Sequence, residues 1–206
     1  RQTRNISVLV RDVRAYSILA PTGNIDSTGI PLTPRAIVEN VGNLMADSFP
    51  VTFEIYDAVP QVVYADTQMA RNLPAGYRDT VNFTAWPIGT IGAYTTACST
   101  AYFLDMNTSN DRRTGQFWVQ RCDIGVDSIV SPLGVVDSGT IDSVKASVTN
   151  FGTSTKSFLA IFRIGNFYAD TVAVTLTSLI DSIITFVNWQ ANQPGWYYSI
   201  QCTTVI

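Results

Sequence analysis

The feature that most constrains this chain of 206 residues is that it repeats itself. Residues 12–27, Asp-Val-Arg-Ala-Tyr-Ser-Ile-Leu-Ala-Pro-Thr-Gly-Asn-Ile-Asp-Ser, lie without a gap over residues 123–138, Asp-Ile-Gly-Val-Asp-Ser-Ile-Val-Ser-Pro-Leu-Gly-Val-Val-Asp-Ser, at a constant offset of 111 (123 − 12). After one deleted residue, Ala36-Ile-Val-Glu-Asn-Val-Gly42 lies over Ala146-Ser-Val-Thr-Asn-Phe-Gly152, and further on Tyr64-Ala-Asp-Thr67 lies over Tyr168-Ala-Asp-Thr171. Each copy then reaches a tryptophan, Trp86 or Trp189, followed by Tyr94-x-x-x-Cys98 or Tyr198-x-x-x-Cys202. Self-similarity at a long period means one folding unit used twice.

The pattern inside each copy says what kind of unit it is. Phe49, Val51, Phe53 and Ile55 alternate with Pro50, Thr52 and Glu54, and they correspond to Phe158, Ala160, Phe162 and Ile164 in the second copy. Period two is the signature of a strand with one buried face. Many such short runs, separated by Gly, Pro, Asn and Asp turns and with no helical period, predict an all-β chain. Two tandem antiparallel immunoglobulin-like β-sandwiches fit the length. Extra residues around 58–62 in the first copy read as a longer loop, and the turn-forming run 105–111 predicts a hairpin between strands 93–104 and 114–121. The joint at Gln120-Arg-Cys-Asp123 has no flexible linker composition, so the two halves are expected to be stiffly related.

The opening residues belong to the repeat as well, but out of place. Arg1-Gln-Thr-Arg-Asn-Ile-Ser-Val-Leu-Val-Arg-Asp-Val13 matches residues 112–124 at Thr3 and Thr114, Val8 and Val119, and Asp12 and Asp123. The middle copy closes one unit and leads into the next, whereas the first has no unit before it to close. The second unit, in turn, runs to Cys202-Thr-Thr-Val-Ile206 with no such strand after it. The expected organisation is therefore a donor strand at 1–10, a first sandwich at 11–121 and a second at 122–206 that lacks its closing strand.

Composition removes several function classes. With no histidine, the commonest general base and metal ligand is missing, which excludes His-containing triads and His-based metal sites. No P-loop or glycine-rich cradle is present, so the chain is read as a non-enzyme with no cofactor. A net charge of −3 with no basic cluster favours neither nucleic acid nor a membrane surface, and no apolar run is long enough for a membrane span. Three cysteines fit neither a disulfide-dense scaffold nor a paired-cysteine zinc site.

The repeated signature Asp-Val/Ile-x-Val…Ile-x-x-Pro-x-Gly-x-x-Asp-Ser…Val-x-Asn-x-Gly…Trp…Tyr-x-x-x-Cys resembles the CARDB-type immunoglobulin-like repeats of prokaryotic cell-surface proteins. Val38-x-Asn40-x-Gly42 and Val148-x-Asn150-x-Gly152 are its most specific elements. The resemblance implies a seven-stranded sandwich, an extracellular location and a structural or adhesive role, with no catalytic residues. The displaced strand is similar in mechanism to donor-strand-complemented pili, in which an N-terminal strand fills a groove in the next subunit.

A sandwich short of one strand exposes unpaired backbone groups beside an apolar groove, an arrangement prone to pairing with another chain. Ile6, Val8 and Val10 have the alternation to fill it, with Leu9 on the outer face. The acceptor groove is expected beside Tyr198, Ile200 and Cys202, since the equivalent strand precedes the closing strand in the first unit. The expected function is thus a structural subunit of an extracellular filament, a homopolymer joined by strand exchange. The alternative is a surface adhesin or carbohydrate-binding repeat from a longer tandem array. Closure of the second unit by residues 1–10 of the same chain is a third possibility.

Other residues carry weaker signals. Cys98 and Cys122 lie symmetrically about residue 110 in the expected turn and are candidates for a cross-strand disulfide, or else two reduced thiols; Cys202 is expected to be a buried free thiol. Asn5, Asn82 and Asn107 head glycosylation sequons. Asp105-x-Asn107-x-Ser109-Asn110-Asp111 loosely resembles half a calcium loop, although turn formation explains it better. Trp86, Trp189, Trp196, Tyr197 and Tyr198 are either core residues or a sugar-stacking platform.

Overall fold

The computed structural model describes residues 2–27, 29–192, 195 and 199–206. Among the described residues the structure is all-β apart from one short 3₁₀ turn at Thr108–Asn110, and the chain divides into two compact units, Arg1–Gln120 and Arg121–Ile206.

The first unit contains β1 (Val13–Ala20), β2 (Gly23–Asp26), β3 (Arg35–Asn40), β4 (Ala46–Tyr56), β5 (Val62–Leu73), β6 (Arg78–Asn82), β7 (Gly92–Thr100) and β8 (Arg112–Gln120). They form two sheets, of order β1-β3-β6 and β2-β8-β7-β4-β5. Every pairing is antiparallel except that of β2 with β8. The alternation in β4 does what its period requires, since Phe49, Val51, Phe53 and Ile55 are fully buried. They share one core with Val13, Ala36 and Val38 from the facing sheet and with Phe117 and Val119 of β8. Full burial of side chains of this size stabilises by about 1.5–3 kcal/mol each.

The second unit contains β9 (Ile124–Ser131), β10 (Ile141–Asp142), β11 (Lys145–Asn150), β12 (Lys156–Ile164), β13 (Tyr168–Leu176), β14 (Asp181–Thr185), β15 (Trp189–Gln190) and β16 (Ile200–Val205). Sheets β14-β11-β9 and β13-β12-β16 face one another across a core that includes Val144, Ala146, Val148, Phe158, Phe162 and Ile164. A two-stranded ribbon, β10 with β15, completes it. The longer first-unit loop expected near 58–62 is the β4–β5 connection, where the Asp57 amide donates to Gln61 O at 3.1 Å. In the second unit a tight turn at Gly165, with φ of 51°, replaces it.

Two repeated motifs turn out to be local fastenings. In Val-x-Asn-x-Gly, Asn40 is buried, its Nδ2 donating to Leu44 O at 2.7 Å and Leu73 O at 2.8 Å while its Oδ1 accepts from Gly42 N at 3.0 Å. Asn150 repeats this with Ser154 O, Leu176 O and Gly152 N. A buried amide with every group paired specifies one turn geometry, because any other would leave polar atoms unsatisfied. In Tyr-Ala-Asp-Thr, the Tyr64 hydroxyl donates to Thr84 O at 2.7 Å and the Asp66 carboxylate accepts from Thr84 N at 2.7 Å. Tyr168 and Asp170 hold Val187 in the same way, at 2.5 Å and 2.8 Å. Burial raises both tyrosine pKa values, that of Tyr168 to about 12.

The expected Cys98–Cys122 bridge is not formed, and all three cysteines are free thiols. Cys98 stands opposite Arg113, which centres the β7–β8 hairpin between Asp105 and Met106 and not at residue 110. The cause is the connecting loop, which folds into the 3₁₀ turn and lets β8 start at Arg112.

Candidate functional site

The two features expected to meet in strand exchange can be built separately, the N-terminal arm on the first unit and the sheet edge on the second. Residues 2–12 form no strand, and residues 2–10 are exposed, with Ile6 91% and Val8 72% accessible. Leaving alternating β-branched residues in water forgoes the burial that normally offsets their ordering cost. Only the base of the arm is fastened. Val10 N donates to Asn43 Oδ1 at 2.8 Å, Asn43 Nδ2 donates to Val8 O at 2.7 Å, and the Val41 and Gly42 amides both donate to Asp12 O. The 105–111 loop holds the same base, through Met106 N to Arg11 O at 2.9 Å and Val13 N to the Asp105 carboxylate at 2.8 Å.

Gly42 is required by this close passage: a Cβ there would lie 2.5 Å from Val10 O. Gly152 meets Arg121 O at the same 2.5 Å, and Thr153 Oγ1 accepts from Arg121 N as Asn43 does from Val10 N. The entry into each unit is therefore one local structure built twice. Val10 corresponds to Arg121, one residue past the end of β8, and so lies at the fixed base of the arm. There Asn43 bonds the backbone on both sides of Leu9, accepting from Val10 N, donating its amide N–H to Val10 O at 3.0 Å, and donating Nδ2 to Val8 O. Ile6 and Val8 fall on Phe117 and Val119, the two fully buried residues of β8, and Leu9 falls on Gln120.

On the second unit, β16 takes the place of β7. Both pair with the strand that carries the alternating core residues, β7 with β4 and β16 with β12, where Ile200 faces Ile164 and Cys202 faces Phe162. β7 has β8 on its other side; among the described residues β16 ends its sheet. Burial follows the difference. Thr96, Cys98 and Thr100 are buried, whereas their counterparts Ile200, Cys202 and Thr204 are only half-buried. Cys202 is therefore a free thiol, as expected, but half-buried where a buried one is expected. Burial pushes the Cys98 thiol up to about 12 and raises Cys202 as well. Tyr198, Trp196 and Tyr197 lie outside the described residues.

The remaining candidates fall into place around these two features. Trp86 and Trp189 are buried core residues, Trp86 lying edge-on to both Tyr94 and Phe117, so neither presents a face for stacking on a sugar. The carboxylates of the supposed calcium half-loop are occupied in turn-making: Asp105 accepts from Val13 N and Asn107 N, and Asp111 accepts from Thr100 Oγ1. Burial, together with Asp105 and Asp12 nearby, raises the Asp111 pKa despite the Thr100 hydroxyl. Asn5 is exposed on the arm, and Asn82 is exposed at the end of β6. Asn107 is exposed, though its Nδ2 reaches Asp12 at 3.4 Å and its Oδ1 accepts from Ser109 at 2.7 Å. Sequence reasoning missed Asn43, and its only signal is its position beside the Asn-x-Gly turn.

No protein family matches the chain, and no curated protein matches it in sequence. Among solved structures it is similar to residues 272–376 of a protein assigned to the cell surface of Methanosarcina acetivorans, at 26% identity over 53% of this chain and 92% of that one, with a TM-score of 0.43. It is also similar to the calcium-binding domain CBD12 of CALX1.1, at 8% identity over 82% of this chain and 73% of that one, with a TM-score of 0.36. A third similarity is to the FN1–FN3 domains of chicken CNTN1, at 11% identity over 95% of this chain and 61% of that one, with a TM-score of 0.37.

Proposed function

We propose that the chain is the structural subunit of an extracellular filament, polymerising head to tail as the N-terminal arm of one copy becomes the closing strand of the second unit of the next. The observation that carries this reading is a matched pair. The arm is the sequence copy of β8 and lies exposed in no sheet, while β16 is the structural copy of β7 and, among the described residues, has no strand where β7 has β8. Residues 1–9 equal β8 in length, and at about 3.3 Å per residue they span about 30 Å. On the β8 template Ile6 and Val8 turn inward, and their burial contributes about 3–6 kcal/mol between them, besides an added backbone ladder. Asn5 then falls on Gln116, an exposed position, so a glycan there would face solvent. A role in structure and not catalysis fits a chain without histidine, and the location outside the cell rests on the resemblance to surface repeats.

The test uses the full chain beside a double variant, Ile6→Asp with Val8→Asp, compared by size-exclusion chromatography and electron microscopy. The expected result is filaments from the intact chain and monomers from the variant. If both remain monomeric, the strand-exchange reading fails, and the chain is a repeat of a longer adhesive array whose second unit is closed by another segment. If both polymerise alike, the contact lies elsewhere.

A further inference from the structure

The open edge of β16 is only half of what β8 touches. In the first unit β8 lies between two strands, antiparallel to β7 and parallel to β2, and β2 has no other neighbour in its sheet. The sequence counterpart of β2 is Gly134-Val-Val-Asp137, and it forms no strand. Intrinsic preference does not explain this, because two valines favour a strand more than the Asn24-Ile25 of β2 do. The backbone entry is the same, with φ of 68° at Gly23 and 70° at Gly134. Val136 already packs against the second core as Ile25 packs against the first, while Val135 is fully exposed. What differs is the neighbour: β2 has β8 beside it, and Gly134–Asp137 has no strand beside it among the described residues.

Resting on the strand-exchange reading, we infer that Gly134–Asp137 is a second acceptor edge, which becomes a strand when the arm of another copy lies parallel to it. Transferring the β2–β8 register sets Gly134 opposite Ile6, Val135 opposite Ser7, Val136 opposite Val8 and Asp137 opposite Leu9. The next rung follows Ser27 N, which donates to Gln120 O at 2.7 Å, and makes Ser138 N the donor to Leu9 O. The arm is thereby held on both sides, and part of the acceptor folds around it. A strand that completes two edges at once fixes its own register, because a shift by one residue would turn Ile6 and Val8 outward on both.

The experiment uses the full-length Ile6→Asp, Val8→Asp chain, which keeps its acceptor surfaces, and a synthetic peptide of residues 1–11 as the probe. Fluorescence anisotropy reads binding, and residue-resolved amide hydrogen exchange reads where the ladder forms. Slowed exchange along β16 and also at Val136 and Ser138, with peptide affinity reduced about tenfold or more when Val136→Asp is added, supports the second edge. Binding that slows exchange along β16 alone overturns the second edge and leaves strand exchange standing. Absence of any binding overturns both.

Discussion

β7 and β16 are the same strand twice, and they differ in what lies beside them. β7 pairs with β4 and β16 with its repeat counterpart β12, and each carries a cysteine at the same step. Cys98 lies beneath a closed sheet, fully buried; Cys202 lies at an edge, half-buried. The contrast shows that burial in these sandwiches depends on the neighbour as much as on the strand's own sequence, since the inward positions of β16 are as able to pack as those of β7. It also separates two outcomes for one donor sequence. As β8, Phe117 and Val119 sit in a core with Trp118 turned outward; as the arm, Ile6 and Val8 sit in water.

The comparison breaks most sharply if the arm of one copy is tied to the edge of another. Transferring the Cys98–Arg113 register places residue 2 opposite Cys202, so Gln2→Cys with Cys122→Ser should give an oxidised ladder of covalent multimers on non-reducing gels. Monomers alone under those conditions would contradict the register. Next in size is the same repeat position tested in both settings. Phe117→Ala should cost the first unit about 3–5 kcal/mol in denaturant unfolding, while Ile6→Ala should leave the monomer's stability within about 0.5 kcal/mol. Equal effects would mean that the arm is packed in the monomer.

Gly152→Ala should cost about 1–3 kcal/mol by forcing Arg121 O away from the turn, and Gly42→Ala should instead loosen an arm whose tip bears no load. Thermal melts of the two variants read the difference. The smallest effect concerns the Tyr-Ala-Asp-Thr corner. The Asp66 carboxyl is lowered: burial pushes it up, but donors from Thr84, Gln68 and Thr67 more than offset that. Its contribution is therefore present above the ordinary carboxylate range and lost as pH falls through the lowered value. Asp66→Asn should cost about 1 kcal/mol near neutral pH, with the gap to the wild type closing on acidification in pH-dependent unfolding.

Much of the fold was legible because it is set by short-range pattern. The alternation in 49–55 named the buried face of β4, and the repeated Asn-x-Gly marked a turn that the structure shows to be a buried, fully bonded amide. The β7–β8 register was not legible. The spacing of Cys98 and Cys122 centred the hairpin on residue 110, whereas the loop is shaped by long-range bonds from Asp105 and Met106 to residues 11–13, which no local window contains. β2 escaped for a related reason: Gly23-Asn-Ile-Asp26 has little strand character of its own and is a strand because β8 lies beside it. For the candidate site, the repeat offset set Ile200 and Cys202 on the strand that matches β7, but the fastening at the base of the arm was not legible. Alternation cannot show that Asn43 bonds the backbone of both Val8 and Val10.

The fastening of β8 on two sides carries a mechanical consequence. The chain leaves the first unit from the end of β8 at Gln120, so a pull on the outgoing chain meets that strand first. A strand pulled lengthwise loads its flanking hydrogen bonds together instead of one after another, and β8 has such bonds to both β7 and β2. The first unit thus holds its outgoing chain by two ladders and by the edge-on packing of Phe117 against Trp86.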